Sequence, residues 1–174
     1  IDEFRSVTQN STAIFNNALS GGFIVPNFEE FTEELEDIYN TVSEISDGNV
    51  ADYIPQLKRV SPEKFAVSVC TVDGQRWSIG DSEDFFSIQS TCKPLNYCLA
   101  LEENGADKVH EHVGSEPSGH TFNEITLDSR KRPHNPMINA GAIMTSSLIQ
   151  RKLPPAERFD YVLNKWKTIC GGLD

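Results

Sequence analysis

A single hairpin signal constrains this chain more than any other feature. The run Phe65-Ala66-Val67-Ser68-Val69-Cys70-Thr71-Val72 is rich in β-branched residues, Asp73-Gly74 supplies a tight turn, and a second strand is expected near Gln75 to Ile79. A two-stranded hairpin is marginal in water by itself, so helices or further strands must cover it. With only one hairpin in view among several helical patterns, the expected fold class is α+β, mostly helical with one β-hairpin.

The helical patterns lie on both sides of it. A short helix is expected from about Val7 to Leu19, after which Gly21-Gly22 and Pro26 interrupt the pattern. Residues 1–22 therefore read as the tail of an upstream helical region and 23–174 as the domain that follows. Asn27 and Glu30 have the spacing of a capping box, and Phe28, Phe31, Leu35, Ile38, Val42 and Ile45 recur at steps of three and four, predicting a helix that ends near Asp47-Gly48. A further helix is expected to begin near Ser90 and stop at Asn104-Gly105, and another to run from about Met137 to Gln150. Pro154-Pro155 opens a last amphipathic helix with Phe159, Val162, Leu163, Trp166 and Ile169 on one face, closed by Gly171-Gly172. The stretch Gly114 to Pro136 lacks sustained periodicity and is expected to be loop, and loops of that length inside a domain are usually functional.

Composition narrows the classes of partner. With 15 basic against 26 acidic side chains and a formal net charge of -11, the chain repels phosphate backbones and anionic membrane surfaces, so no nucleic-acid partner is expected. No apolar run approaches the roughly 20 residues of a membrane span, so no membrane insertion is expected, and Ile1-Asp2-Glu3-Phe4 lacks the basic and apolar character of a signal peptide. Cys70, Cys92, Cys98 and Cys170 include no CxxC pair, which points to reduced thiols in an intracellular compartment. His110-Glu111-His112 is a poor metal site because helical side chains at i and i+2 point apart, and no HExxH is present.

The chemistry concentrates at Gln89-Ser90-Thr91-Cys92-Lys93-Pro94, where Ser90 and Lys93 form an S-x-x-K pair at the start of a predicted helix. That spacing brings both side chains to one face. A serine hydroxyl becomes a useful nucleophile when a neighbouring base takes its proton, and a lysine serves if its neutral form is favoured. A helix N-terminus contributes positive potential and free N–H groups that stabilise a developing oxyanion. Penicillin-binding proteins and class A β-lactamases use the same spacing.

Around this pair stand DYIPQL at Asp52 to Leu57, SVCTVDGQR at Ser68 to Arg76, EPSGHTFNEI at Glu116 to Ile125 and RPHNPMINAGAI at Arg132 to Ile143. Together they resemble the serine-dependent glutaminase family over about Phe23 to Ile149, and PHNPMINAGAI resembles the animal enzymes in particular. The resemblance implies a partial domain of the β-lactamase/penicillin-binding-protein-like type, the N-terminal part of the catalytic domain. It implies Ser90 as nucleophile, Lys93 as its base, and Tyr53, Gln89 and Asn139 as substrate-binding residues. Without it, Tyr53 reads as a core aromatic, Gln89 as a surface polar residue and Asn139 as a helix cap. The implied reaction is hydrolysis of L-glutamine to L-glutamate and ammonia through a seryl acyl-enzyme, with no metal or organic cofactor and inorganic phosphate as an activator. Family enzymes return the proton with a tyrosine from a later segment that has no match here. A completing C-terminal half or a homo-oligomer is therefore the expected partner, and the chain alone is expected to be inactive.

Two rival readings are another serine amide hydrolase of the β-lactamase superfamily, acting through the same Ser90 and Lys93, and a non-catalytic assembly or regulatory fragment. Gly119 to Pro133 aligns with the family's gating loop, with Phe122, Ile125 and Leu127 at its apolar positions. Glu124 and Thr126 depart from the basic and aromatic residues of kidney-type enzymes, which leaves the phosphate response open. The animal-like resemblance implies a mitochondrial location, and a bacterial relative would be cytoplasmic.

Overall fold

In the computed structural model, which describes residues 2–172, the hairpin forms where the β-branched residues predict it. Ile1, Leu173 and Asp174, at the outer ends of the two expected segments, lie outside the described residues. The chain divides into two compact units, Ile1–Ser87 and Ile88–Asp174.

The first unit carries helices α1 (Asp2–Thr8), α2 (Thr12–Leu19), α3 (Phe28–Ser43) and α4 (Pro55–Lys58) and strands β1 (Ala66–Cys70) and β2 (Arg76–Gly80). The expected helix from Val7 to Leu19 is split, because a 3-10 turn at Gln9–Ser11 separates α1 from α2. The antiparallel register sets Val67 opposite Ile79 and Val69 opposite Trp77, and these four share the half-buried face. Ser68 and Ser78 meet on the exposed face, with 3.1 Å between their hydroxyls. Gly74, at φ 97°, closes the turn, and Gln75 anchors its end to the entry of α3 by accepting from the Val25 N–H at 2.9 Å.

Two expectations for α3 need correction. Asn27 is left-handed (φ 51°, ψ 48°) and makes no capping bond to the helix; its Nδ2 instead donates to Glu30 Oε2 at 3.2 Å, so the capping box is not formed. The helix ends at Ser43, short of Asp47-Gly48, and its covered face is rotated from the apolar stripe. Tyr39 stacks on Phe65 with ring centroids 4.8 Å apart, while Phe31, Ile38, Val42 and Ile45 remain exposed. Periodicity marks an apolar face, but only packing selects the part that is covered.

The second unit is built from α5 (Cys92–Asn104), α6 (Ala106–His110), α7 (Asn139–Leu148) and α8 (Pro155–Ile169). Helix α5 packs on α6 and α7, and Leu99, Ala100, Val109, Val113, Leu148 and Ile149 form its core, with Tyr97, Leu101, Tyr161 and Val162 around them. Fully burying an aliphatic side chain such as Ile149 or Val109 contributes about 1.5–3 kcal/mol. The final helix begins at Pro155 as expected, yet Phe159, Leu163 and Ile169 on its predicted apolar face are exposed.

The stretch between α6 and α7 has no helix, as predicted, but it is tightly organised. Asp128 accepts from the N–H groups of Arg130 (2.8 Å) and Arg132 (3.0 Å) and from Arg132 Nε (2.8 Å), and Leu127 and Pro133 form an isolated antiparallel bridge. The backbone bond from Arg132 leads in holding the Asp128 carboxyl below its ordinary value of 3.8. Among the described residues no helix is long and apolar enough to cross a membrane.

Candidate active site

The site residues of the second unit are carried by two helix starts. Ser90 lies in a 3-10 turn, Gln89–Thr91, that runs into α5, so the α-helix begins two residues later than expected. Lys93 is the second residue of α5 and is half-buried, whereas Ser90 is exposed. Gln89 enters this turn at φ 40°, in the left-handed region that side-chain-bearing residues rarely adopt. Strained backbone of this kind costs on the order of 1–3 kcal/mol and clusters at functional sites.

Asn139 opens α7, 46 residues from Lys93 in sequence, and its Oδ1 accepts a 2.7 Å hydrogen bond from Lys93 Nζ. Its side chain thus faces the neighbouring helix and does not cap its own. Its backbone N–H donates to the Phe122 carbonyl oxygen at 2.9 Å, which ties the preceding loop to the start of the helix. Gln89, Ser90, Cys92, Lys93, Asn139, Ala142, Ile143 and Ser146 line one groove of about 550 Å³. Its apolar wall comes from α7, where Ile143 is 72% exposed.

Four of the five predicted residues, Gln89, Ser90, Lys93 and Asn139, therefore share one groove. Tyr53 belongs to the first unit, where it is 72% exposed just before α4 and is not a core aromatic. Residues that sequence reasoning passed over build the turn that leads into Asn139. Asn135 Oδ1 accepts from the N–H groups of Met137 (3.0 Å) and Ile138 (3.2 Å), and Asn135 Nδ2 donates to the Glu116 carbonyl oxygen at 3.0 Å. Gly141 admits the Asn135-Pro136 backbone against α7, since a Cβ there would lie 2.7 Å from the Asn135 carbonyl carbon and 3.2 Å from Pro136 Cα. The Asn-Pro pair was the available signal for such a turn.

His110 and His112 have other neighbours. His110 Nε2 lies 2.9 Å from the Tyr97 hydroxyl and its Nδ1 3.0 Å from the Val113 carbonyl oxygen, and His112 Nδ1 lies 3.0 Å from the Lys108 carbonyl oxygen. Among the described residues no group of three or more His, Cys, Asp or Glu side chains is arranged to hold a metal ion.

The sequence profile of the Glutaminase family matches residues 48–174. The chain belongs to that family. It is 42% identical over 168 residues to the mitochondrial liver isoform of glutaminase from Rattus norvegicus, covering 97% of this chain and 28% of the rat protein. It is 52% identical over 149 residues to a glutaminase of Corynebacterium efficiens, covering 84% of this chain and 34% of that protein. Among solved structures it resembles the native form of Mglu, with a TM-score of 0.70 and 34% identity over 78% of this chain and 33% of that one. This glutaminase-family chain thus spans about three-tenths of the length of the curated relatives it matches.

Proposed function

We propose that the protein carrying this chain hydrolyses L-glutamine to L-glutamate and ammonia, and that this chain contributes the nucleophile and its base. Ser90 attacks the carboxamide carbon, and its proton passes to Lys93. The tetrahedral adduct collapses to a seryl ester as ammonia leaves with a returned proton. Water then cleaves the ester, releasing glutamate and restoring the Ser90 hydroxyl. Gln89, Asn139 and Tyr53 are the substrate contacts. The observation that carries this reading is the 2.7 Å bond between Lys93 Nζ and Asn139 Oδ1, because it joins the S-x-x-K segment to the PHNPMINAGAI segment within the groove that Ser90 lines. Its acceptor holds the lysine amine at the groove that Ser90 also lines, a partner that a solvated surface lysine would lack.

The fold proposed for the whole protein is β-lactamase-like, with β1 and β2 joining a larger antiparallel sheet. Because the chain covers 28% of the rat relative, activity is assigned to the whole protein, and a homo-oligomer or a completing C-terminal half is the partner proposed with it. No metal or organic cofactor takes part, and phosphate is proposed only as an activator. A mitochondrial location rests on the rat and mouse liver isoforms, whose names state it, while bacterial relatives keep a cytoplasmic location as the alternative.

The test is ammonia release by the whole protein with Ser90→Ala and with Lys93→Met. Both variants are expected to lose at least about 10³-fold in kcat, as residues acting as a unit do. Glutamine binding by calorimetry should survive Ser90→Ala. Near-normal turnover in Ser90→Ala would remove the nucleophile assignment, and faster hydrolysis of a chromogenic β-lactam than of glutamine would favour the other hydrolase class.

A further inference from the structure

The geometry points to Asn135 as a positioning residue that holds Asn139 against Lys93, an inference that rests on the glutaminase reading of the same groove. The turn that leads into a helix sets the direction in which the helix starts, and an Asn side chain that accepts from the N–H groups two and three residues on fixes such a turn. Ile138, the residue before α7, makes no side-chain cap. Asn135 instead fixes the turn that enters the helix, its single Oδ1 accepting from the N–H groups of both Met137 and Ile138 just before α7. Its Nδ2, donating to the Glu116 carbonyl oxygen at 3.0 Å, fastens that amide to the other side of the loop.

The consequence reaches the site in one step. Asn139 follows Ile138 directly, so the two bonds to Asn135 Oδ1 fix the backbone that carries the Lys93 acceptor. The contact of Gly141 with the Asn135-Pro136 backbone fixes the same turn from the helix side. Asn139 has a third constraint, its N–H bond to the Phe122 carbonyl oxygen, but that carbonyl lies on a loop whose Phe122 side chain is 65% exposed. Asn135 acts closer to the site, because its two accepted bonds fix the backbone immediately before Asn139, and the main-chain bond from Glu116 N–H to the His134 carbonyl oxygen at 3.1 Å holds the two sides of the loop together without the Asn135 Nδ2 donor. A displacement of about 1 Å at a reacting group can cost on the order of 10²-fold in rate.

The experiment compares Asn135→Ala, Asn135→Asp and the unaltered whole protein. Asp keeps an oxygen for the Met137 and Ile138 N–H groups and loses only the donor to Glu116; Ala loses all three bonds. Crystal structures of the variants read the separation of Lys93 Nζ and Asn139 Oδ1, and steady-state kinetics read kcat and KM separately. Expected for Asn135→Ala are a separation beyond 3.5 Å and a fall in kcat of about 10–100-fold, with a smaller change in KM. Expected for Asn135→Asp are a retained contact and kcat within about threefold of the unaltered protein. Urea unfolding of both variants separates a stability loss from a positioning loss, since a purely structural role would lower the midpoint and leave kcat per folded molecule unchanged. An unchanged separation in Asn135→Ala, or equal kcat losses in Ala and Asp, would overturn the inference. A lengthened separation with normal turnover would support the positioning and instead overturn the assignment of Lys93 as base.

Discussion

Replacing Gly141 with alanine sets two opposing effects against each other, and the structure decides between them. Glycine to alanine within a helix ordinarily stabilises by up to about 1 kcal/mol, because alanine loses less backbone entropy. Here the added Cβ would lie 2.7 Å from the Asn135 carbonyl carbon and 3.2 Å from Pro136 Cα, and closer still to the Asn135 carbonyl oxygen. Carbon atoms prefer separations of about 3.5–4.0 Å, so α7 and the Asn135-Pro136 segment must part by on the order of 1 Å. All three obstructing atoms are backbone, so no rotamer change relieves them. Overpacking of this kind costs about 1–3 kcal/mol, and each strained hydrogen bond of Asn135 removes up to about 1 kcal/mol more. The steric cost therefore exceeds the propensity gain, and a net loss of about 1–3 kcal/mol is expected. Urea unfolding followed by both circular dichroism and tryptophan fluorescence measures it, with coincident transitions required for a two-state reading. With a slope of roughly 1–3 kcal/mol per molar, the midpoint should fall by about 1 M. Ser147→Ala on the exposed side of the same helix is the control, expected to change stability by no more than about 0.5 kcal/mol. A Gly141→Ala midpoint equal to or above that of the unaltered protein would refute the close approach.

Arg158 donates from Nε to the Ile149 carbonyl oxygen (3.0 Å) and from Nη2 to the Ser146 carbonyl oxygen (2.9 Å), satisfying the end of α7. Arg158→Met, which keeps an apolar stem of similar length, is expected to cost about 1–2 kcal/mol in the same unfolding assay, and a change under about 0.5 kcal/mol would contradict that role. Because the Asp128 carboxyl is held below its ordinary 3.8, the stabilisation it gives the 128–132 turn is complete above that value and is lost as pH falls through its lower folded value. An NMR titration should therefore place its midpoint below 3.8, with amide protection of Arg130 and Arg132 lost over the same range; a midpoint at or above 3.8 would remove the explanation. Asn139→Ala in the whole protein removes the Lys93 acceptor and a proposed substrate contact, and is expected to lower kcat/KM by at least about 10²-fold; a loss under tenfold would withdraw both roles.

What the sequence determined by itself was local and chemical. Alternation and the Asp73-Gly74 pair set the hairpin, Pro155 set the start of α8, and Ser90 with Lys93 three positions along the chain reached one groove because turns of that length return side chains to the same side. Short segments separated by many residues were enough to point to the family. Tertiary structure decided which surfaces are covered and which distant atoms meet. Tyr39, not the regular apolar stripe, anchors α3 because its ring finds Phe65, and Asn27 leaves its expected cap because its backbone turns left-handed. The bond from Lys93 to Asn139 spans 46 residues, and its geometry depends on Asn135 and on the absence of a side chain at Gly141. Spacing along a chain reports neighbours within a turn or two of backbone, whereas an orientation fixed to tenths of an ångström between separate helices is set by packing and by the pairing of half-buried polar groups.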